Sequence, residues 1–518
     1  MVYVLFVISI IVMIGLPVGA AVFWRQRFRV PWLYFCIGIL TFLGAQAVHI
    51  PLNELLERIN LLPEGAVEGG RLIQAAIVLG LTAGLTEELA RTIGYLIVKK
   101  ARRLEDGVLL GLGHGGIEAM IFGGVLLAAS AGVLLFVQQG GSLPGASAEQ
   151  LSALYEQLDL ITQSPLLAVV SVIERALAMT LHVVLSVMVL QAFTRRQWLY
   201  VVAAILYHAF VDAAAVYAAN QLENVWLIEG LVALMVAPGL IWLWSLAKQS
   251  DSRPSPNPTA LRQQWPLFIA ALMKELQQQW RTRRVIVVGA VFVVFGMISP
   301  LLARFLPEIL GSIEEAQQFA ELIPEPTIAD ALGQYIENLT QFGFILAIVL
   351  GMGAVIGEKE KGTAAMILSK PMPRWVFITS KFVAQAVVYV VSFIIAAVSA
   401  YYYTYYLFGP PAAAPFLLMN VLLLIWLLVI VAVTLLGSTL GKSTGGAAGI
   451  AAVGSVIILI LGSIPTIGEL MPGALIGWAG QLALPDTPVP NGGALAMALV
   501  LIIVALITAV AVFEQQEL

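Results

Sequence analysis

About thirteen runs of roughly twenty apolar residues follow one another along the 518 residues of this chain. A run of that length spans the ~30 Å hydrocarbon core of a bilayer as an α-helix, because every backbone N–H and C=O must then be satisfied within the segment. Composition agrees with this: 60% of the residues are hydrophobic and 11% are charged, whereas a soluble domain carries about 25% charge. The expected fold is all-α, a polytopic membrane protein of about thirteen transmembrane helices. They form two bundles, seven helices then six, with an interfacial elbow helix between them. The net charge of −4 says little about partners, since its distribution matters more than its sum, and no nucleic-acid partner is expected. The one cysteine, Cys36, lies in an apolar run and reads as a small buried residue, with no intrachain disulfide or thiol metal cluster.

Basic clusters set the expected orientation. Arg25, Arg27 and Arg29, then Lys99, Lys100, Arg102 and Arg103, then Arg195 and Arg196, and finally Lys248 fall at every second hydrophobic boundary. The positive-inside rule puts them in the cytoplasm, with the N-terminus outside and the C-terminus inside a plasma membrane. The first apolar run has its positive flank after it, so no cleavable signal peptide is expected. Expected spans are 2–23, 31–49, 72–98, 107–136, 166–193, 198–219 and 227–247, and in the second bundle 285–303, 341–357, 382–408, 415–437, 446–463 and 494–513. The stretches 50–70, 137–165 and 304–340 read as external loops. A Pro/Ser/Asn-rich linker at 249–259 separates an expected first domain, 1–248, from a second, 260–518. Just after it, Trp265, Phe268, Leu272, Leu276 and Trp280 recur every three or four residues, the pattern of an amphipathic helix lying in the membrane interface.

Eight polar residues interrupt four of the first seven spans: Glu87, Glu88, Arg91, His114, Glu118, His182, His208 and Asp212. Ionisable groups in hydrocarbon are costly unless they pair or line a wet cavity, so they mark a functional site by default. Glu87 with Arg91, His114 with Glu118 and His208 with Asp212 are spaced i, i+4, which places each pair on one helix face. All lie 8 to 16 positions from their cytoplasmic anchors, about 12–24 Å at 1.5 Å per residue. Four helices therefore deliver polar groups to one layer. No GxSG turn, GxGD pair or HExxH motif is present, so serine, aspartyl and standard zincin mechanisms lose support. What remains is Glu87 or Glu88 as general base on a water, with an imidazole orienting that water or donating to an oxyanion. Arg91 is placed to keep a glutamate charged.

Glu87-Glu88-x-x-Arg91, the run Gly111-Leu-Gly-His114-Gly-Gly-Ile-Glu118, His182 with Ser186, and His208-x-x-x-Asp212 resemble the YhfC group of intramembrane proteases, related to PrsW and the CAAX-prenyl endopeptidases. The resemblance covers about residues 1–245 and implies that the first glutamate motif supplies the base and the later histidines complete the site. The reading adopted from it is a glutamic-type peptidase without a metal cofactor. The alternatives are a bound divalent metal such as zinc, and a bundle that binds a peptide without cleaving it. His49, beside Pro51, reads as an interfacial residue at a helix end, and Glu174 with Arg175 as a structural ion pair.

In the second half, Gly357-Glu358-Lys359-Glu360-Lys361-Gly362-Thr363 precedes Leu368-Ser369-Lys370-Pro371-Met372-Pro373-Arg374 and Lys381. On composition alone this is a solvated loop. The string is similar to the signature of type-2 ABC transporter permeases, in which this region meets a separate ATPase. The resemblance implies that Glu358, Glu360, Gly362 and Thr363 dock such a subunit, with two permease copies in the assembly. Gly437-Ser-Thr-Leu-Gly441-Lys442-Ser443 is one residue short of a P-loop and joins two apolar runs, so ATP is expected to act only through the partner. The whole reads as a peptidase fused to a permease that exports a membrane peptide or lipopeptide. The rival is a permease with a non-cleaving, peptide-binding first half.

Overall fold

The computed structural model describes residues 2–63, 68–138, 152, 155, 166–249, 260–311, 325–370, 372–465, 467–484 and 489–517. The expected linker from 250 to 259, most of 137–165, and residues 64–67 and 312–324 of the other expected loops lie outside them. The described residues contain helices and no strand, and thirteen helices are long and apolar enough to cross a membrane. The chain is thus a multi-pass, all-helical membrane protein. It divides into two compact units, Met1–Ala128 with Ala146–Pro258, and Ala129–Gly145 with Thr259–Leu518.

The first unit is built from α1 (Val2–Phe28), α2 (Trp32–Arg58), α3 (Gly69–Ile97), α4 (Leu104–Glu118), a π-helical turn (Ala119–Val125) leading into α5 (Leu126–Gln138), which belongs to the second unit from Ala129 onward, and then α6 (Leu167–Thr194), α7 (Leu199–Gln221) and α8 (Val225–Gln249). Three packed pairs frame the polar layer: α2 on α4, α3 on α7, and α4 on α6. Lipid tails are as apolar as leucine, so helices associate in a membrane where small residues let their backbones approach. The glycines of the α4 motif do this on two faces. A Cβ on Gly113 would lie 2.1 Å from the Phe35 carbonyl oxygen of α2, and one on Gly111 would lie 2.6 Å from Val183 Cα of α6. The π turn begins directly after Glu118, a departure from α geometry that is common beside functional residues.

Several helices run further than expected, α2 and one helix of the other unit by the most. α2 continues through Pro51 to Arg58, losing one backbone bond to the proline but not its course. His49 is therefore inside a helix and not at its end. The second long extension is in the other unit, whose helices are α9 (Ala260–Arg281), α10 (Arg284–Gly311), α11 (Ile328–Gly351), the short α12 (Ile356–Glu360) and α13 (Thr363–Leu368), α14 (Arg374–Phe408), α15 (Ala413–Leu440), α16 (Thr444–Leu461), α17 (Ala474–Gln481) and α18 (Gly492–Glu514). α11 begins at Ile328, well before the expected 341. Thr327 caps it: its hydroxyl accepts from the Asp330 backbone N–H at 3.4 Å, and the Asp330 carboxylate accepts from the Thr327 N–H at 2.7 Å.

This unit packs α10 on α14, and α15 against α16 and α18, around Phe292, Tyr335, Phe393, Trp426 and their neighbours. The elbow helix α9 lies on α14 with Phe268 stacked on Trp375, ring centroids 6.0 Å apart. Trp265, Met273 and Trp280 remain exposed on it, while Glu275 and Gln279 are buried. Trp265, Met273 and Trp280 thus face outward, as an interfacial helix requires, while Phe268 packs inward.

Candidate active site

Glu87, Glu88 and Arg91 come from α3, His114 and Glu118 from α4, His182 from α6, and His208 and Asp212 from α7. The bundle brings all eight together. The imidazoles of His114 and His182 have centroids 5.0 Å apart, and those of His182 and His208 5.3 Å. Seven of the eight side chains are at most 14% exposed, and Asp212 is the accessible one at 36%.

Partner choice differs from the helical spacing. Of the three i, i+4 pairs, His208 and Asp212 meet, at 3.4 Å. Arg91 instead clamps Glu88, with Nη1 2.5 and 2.6 Å from its two oxygens. His114 meets Glu87, Nε2 to Oε2 at 3.0 Å, and Glu118 pairs with His182 Nε2 and, at 3.1 Å, with Arg175. Arg175 also pairs with Glu174, so this ion pair is an arm of the site as well.

Both nitrogens of the His114 and His182 rings have polar neighbours. Thr41 Oγ1 lies 2.7 Å from the Gly38 carbonyl and 2.9 Å from His114 Nδ1; when its proton goes to the carbonyl, it accepts from Nδ1. His114 Nε2 then carries a lone pair and faces a carboxylate oxygen. Arg91 Nη2 can only donate, so the lone pair of His182 Nδ1, 3.0 Å away, accepts from it and Nε2–H points to Glu118; an ion at this nitrogen would take the place of Arg91. His208 sits between carboxylates, Nδ1 2.9 Å from Glu88 Oε1 and Nε2 3.4 Å from Asp212. Around Glu87 Oε2 stand His114 Nε2 at 3.0 Å, His182 Nδ1 at 3.9 Å and His208 Nε2 at 3.9 Å. Its other oxygen accepts from Gln46 Nε2 at 3.2 Å.

Lone pairs on a carboxylate and an imidazole at 3.0 Å repel unless a proton or a cation stands between them. Glu87, His114 and His182 each offer one ligand atom, all within 4.8 Å of one another. Ligands held at about 2.0–2.1 Å around a tetrahedral zinc lie roughly 3.3 Å apart. Each imidazole is also oriented by a bond on its other nitrogen, as metal-bound histidines usually are. The residues present fit a divalent cation.

Thr41, Gln46 and His49 were not foreseen as part of this site. The signal available was their position on α2, which packs on both α3 and α4. Ser186 holds the frame instead: its hydroxyl donates to the Gly107 carbonyl at 2.8 Å and meets Tyr95 Oη at 2.9 Å.

In the second unit, Glu358 is not a surface carboxylate. It is buried with Glu275 between Lys274 and Lys381, in four ion pairs of 2.7–2.9 Å. Burial opposes the charge on Lys274, but its hydrogen bonds to Glu275 and Glu358 prevail and raise its pKa above the ordinary lysine value. Glu360 is exposed and accepts from the Thr444 hydroxyl at 2.9 Å, and Gly362 makes an exposed turn at φ +69°. Thr363, half-buried, opens α13 and bonds the Glu358 carbonyl at 3.1 Å.

The family model of the YhfC intramembrane metalloproteases matches residues 12–232. The uncharacterized membrane protein YhfC of Bacillus subtilis (strain 168) is 30% identical over 236 residues, 44% of this chain and 90% of its own length. The chain belongs to the YhfC family. Joined to this YhfC domain is a second one, since the family model of the ABC-2 family transporter proteins matches residues 269–518. The uncharacterized transmembrane protein YxlG of Bacillus subtilis (strain 168) is 25% identical over 130 residues, 24% of this chain. The chain covers 50% of that relative's length. An intramembrane-protease domain is thus fused to an ABC-2 membrane domain, and the latter implies an ATPase partner subunit.

The expected absence of a metal is corrected by these findings. The family is one of metalloproteases, and Glu87, His114 and His182 form a buried set suited to an ion. Sequence spacing missed it because the ligands come from three helices and form no HExxH motif.

Proposed function

We propose that the YhfC domain is a metal-dependent intramembrane peptidase whose ion is held by Glu87, His114 and His182. The observation that carries this is the convergence of one ligand atom each from Glu87, His114 and His182, all within 4.8 Å of one another, with His114 Nε2 3.0 Å and His182 Nδ1 3.9 Å from Glu87 Oε2. A divalent ion such as zinc supplies Lewis acidity and makes a water nucleophilic near neutral pH. The protein's residues do the rest. Glu118, braced by Arg175, holds the His182 ring through Nε2, and Thr41 holds His114 through Nδ1. Glu88, clamped by Arg91, holds His208. His208 faces a carboxylate with each ring nitrogen, Nδ1 to Glu88 at 2.9 Å and Nε2 to Asp212 at 3.4 Å, and so serves as a proton donor 3.9 Å from Glu87. Asp212, the accessible member, marks the side from which water and substrate enter.

The substrate proposed is a membrane peptide or lipopeptide, which the ABC-2 domain exports as a dimer with a separate ATPase. The basic clusters support an orientation with the N-terminus outside and the C-terminus in the cytoplasm of a plasma membrane. The test is co-expression with a tagged membrane peptide. Glu87→Gln, His114→Ala and His182→Ala should each lower cleavage by about 10²–10⁴-fold, and chelation should stop wild-type cleavage until metal is restored. Undiminished cleavage in all three variants would remove the assignment.

A further inference from the structure

One stripe of α2 carries a polar chain that the proposed chemistry does not use. Gln46, His49 and Asn53 are spaced i, i+3, i+7 and face α3, in a helix that otherwise reads as a membrane span. Amide and imidazole groups at such depth persist only with partners, and here each partner fixes the next. Asn53 Nδ2 can only donate, so His49 Nε2, 3.0 Å away, accepts. Thr82 Oγ1, 3.2 Å from the same nitrogen and 3.0 Å from the Leu79 carbonyl, shares its proton between the two. The His49 proton is then on Nδ1 and points to Gln46 Oε1 at 3.4 Å. With its oxygen so engaged, Gln46 turns its amide nitrogen to Glu87 Oε1 at 3.2 Å.

We infer that Gln46 and His49 are positioning residues that aim the Glu87 carboxylate. This rests on the metal reading above. A glutamate's terminal torsion is broad and roughly two-fold, so an unheld carboxylate rotates freely. A donor fixed on Oε1 leaves Oε2 directed at His114 Nε2 and His182 Nδ1, the atoms with which it would share an ion. Outer partners of this kind change metal affinity by about 10–100-fold when removed. The chain also has a gradient: Gln46 touches Glu87, His49 acts through Gln46, and Asn53 acts through both.

The test is zinc affinity, measured on the full-length, metal-stripped protein in detergent by competition with a chromophoric chelator. Gln46→Leu keeps the volume and removes the donor, and should weaken zinc binding by about 10–100-fold. His49→Ala should weaken it less and Asn53→Ala least. His49→Gln, which can still donate to Gln46, should recover most of the wild-type affinity. The metal-free melting temperature should stay near wild type throughout. Wild-type affinity in both Gln46→Leu and His49→Ala would overturn this inference alone, as would affinity losses that merely follow a fall in metal-free melting temperature. A wild-type protein that binds no zinc would overturn the metal reading and the inference together.

Discussion

At the scale of single residues, the site depends on how closely helices approach as much as on its ionisable groups. Gly38 of α2 touches α4 one turn before His114: a Cβ there would lie 2.1 Å from the Leu110 carbonyl oxygen and 2.8 Å from the His114 backbone nitrogen. Neither backbone atom can yield, so Gly38→Ala must push α2 and α4 apart. Overpacking of this kind costs about 1–3 kcal/mol. Thermal unfolding in detergent should show a lower melting temperature for Gly38→Ala and none of that loss for Gly44→Ala, where a Cβ meets nothing within 4 Å. That these ionisable residues gather in the bundle was legible in the sequence, because a charge in an apolar span is too costly to persist without partners. Their pairing was not. Spacing says which residues share a face, but Arg91 prefers Glu88 to Glu87, and His114 prefers Glu87 to Glu118, because the partner helix decides what each face meets.

At the scale of elements, the thirteen spans were readable from hydropathy, and the misjudged ends each have a local cause. α2 passes Pro51 because one lost backbone bond does not stop a packed helix, and α11 starts early because Thr327 and Asp330 cap it. The elbow helix α9 was recognisable from its apolar period, yet what fastens it was hidden: Glu275 of α9 meets Lys381 of α14, which also holds Glu358. Lys381 is 1% exposed, so its removal strands two carboxylates on Lys274 alone. Breaking a buried pair in this way costs about 3–5 kcal/mol. Lys381→Met should therefore lower the melting temperature markedly and expose the α9 region to protease. Adding Glu275→Gln and Glu358→Gln should recover much of the loss, a non-additivity expected of residues in one network.

At the scale of the whole molecule, two domains with different chemistry share one chain. With Glu358 buried, the exposed members of the expected ATPase-docking segment are Glu360 and Gly362, beside the exposed Lys361. Reversing Glu360 and Lys361 together should weaken ATPase co-purification while leaving membrane insertion unchanged, since like charges set face to face at an interface oppose association. Full retention of the ATPase would place docking elsewhere. The claim on which the functional account turns is that Glu87, His114 and His182 hold an ion, and metal content tests it most directly. Full-length protein purified without chelator should carry about one equivalent of a divalent transition metal, lost in His114→Ala and His182→Ala and reduced in Glu87→Gln. A metal-free wild-type protein that still cleaves its substrate in the presence of a strong chelator would contradict it.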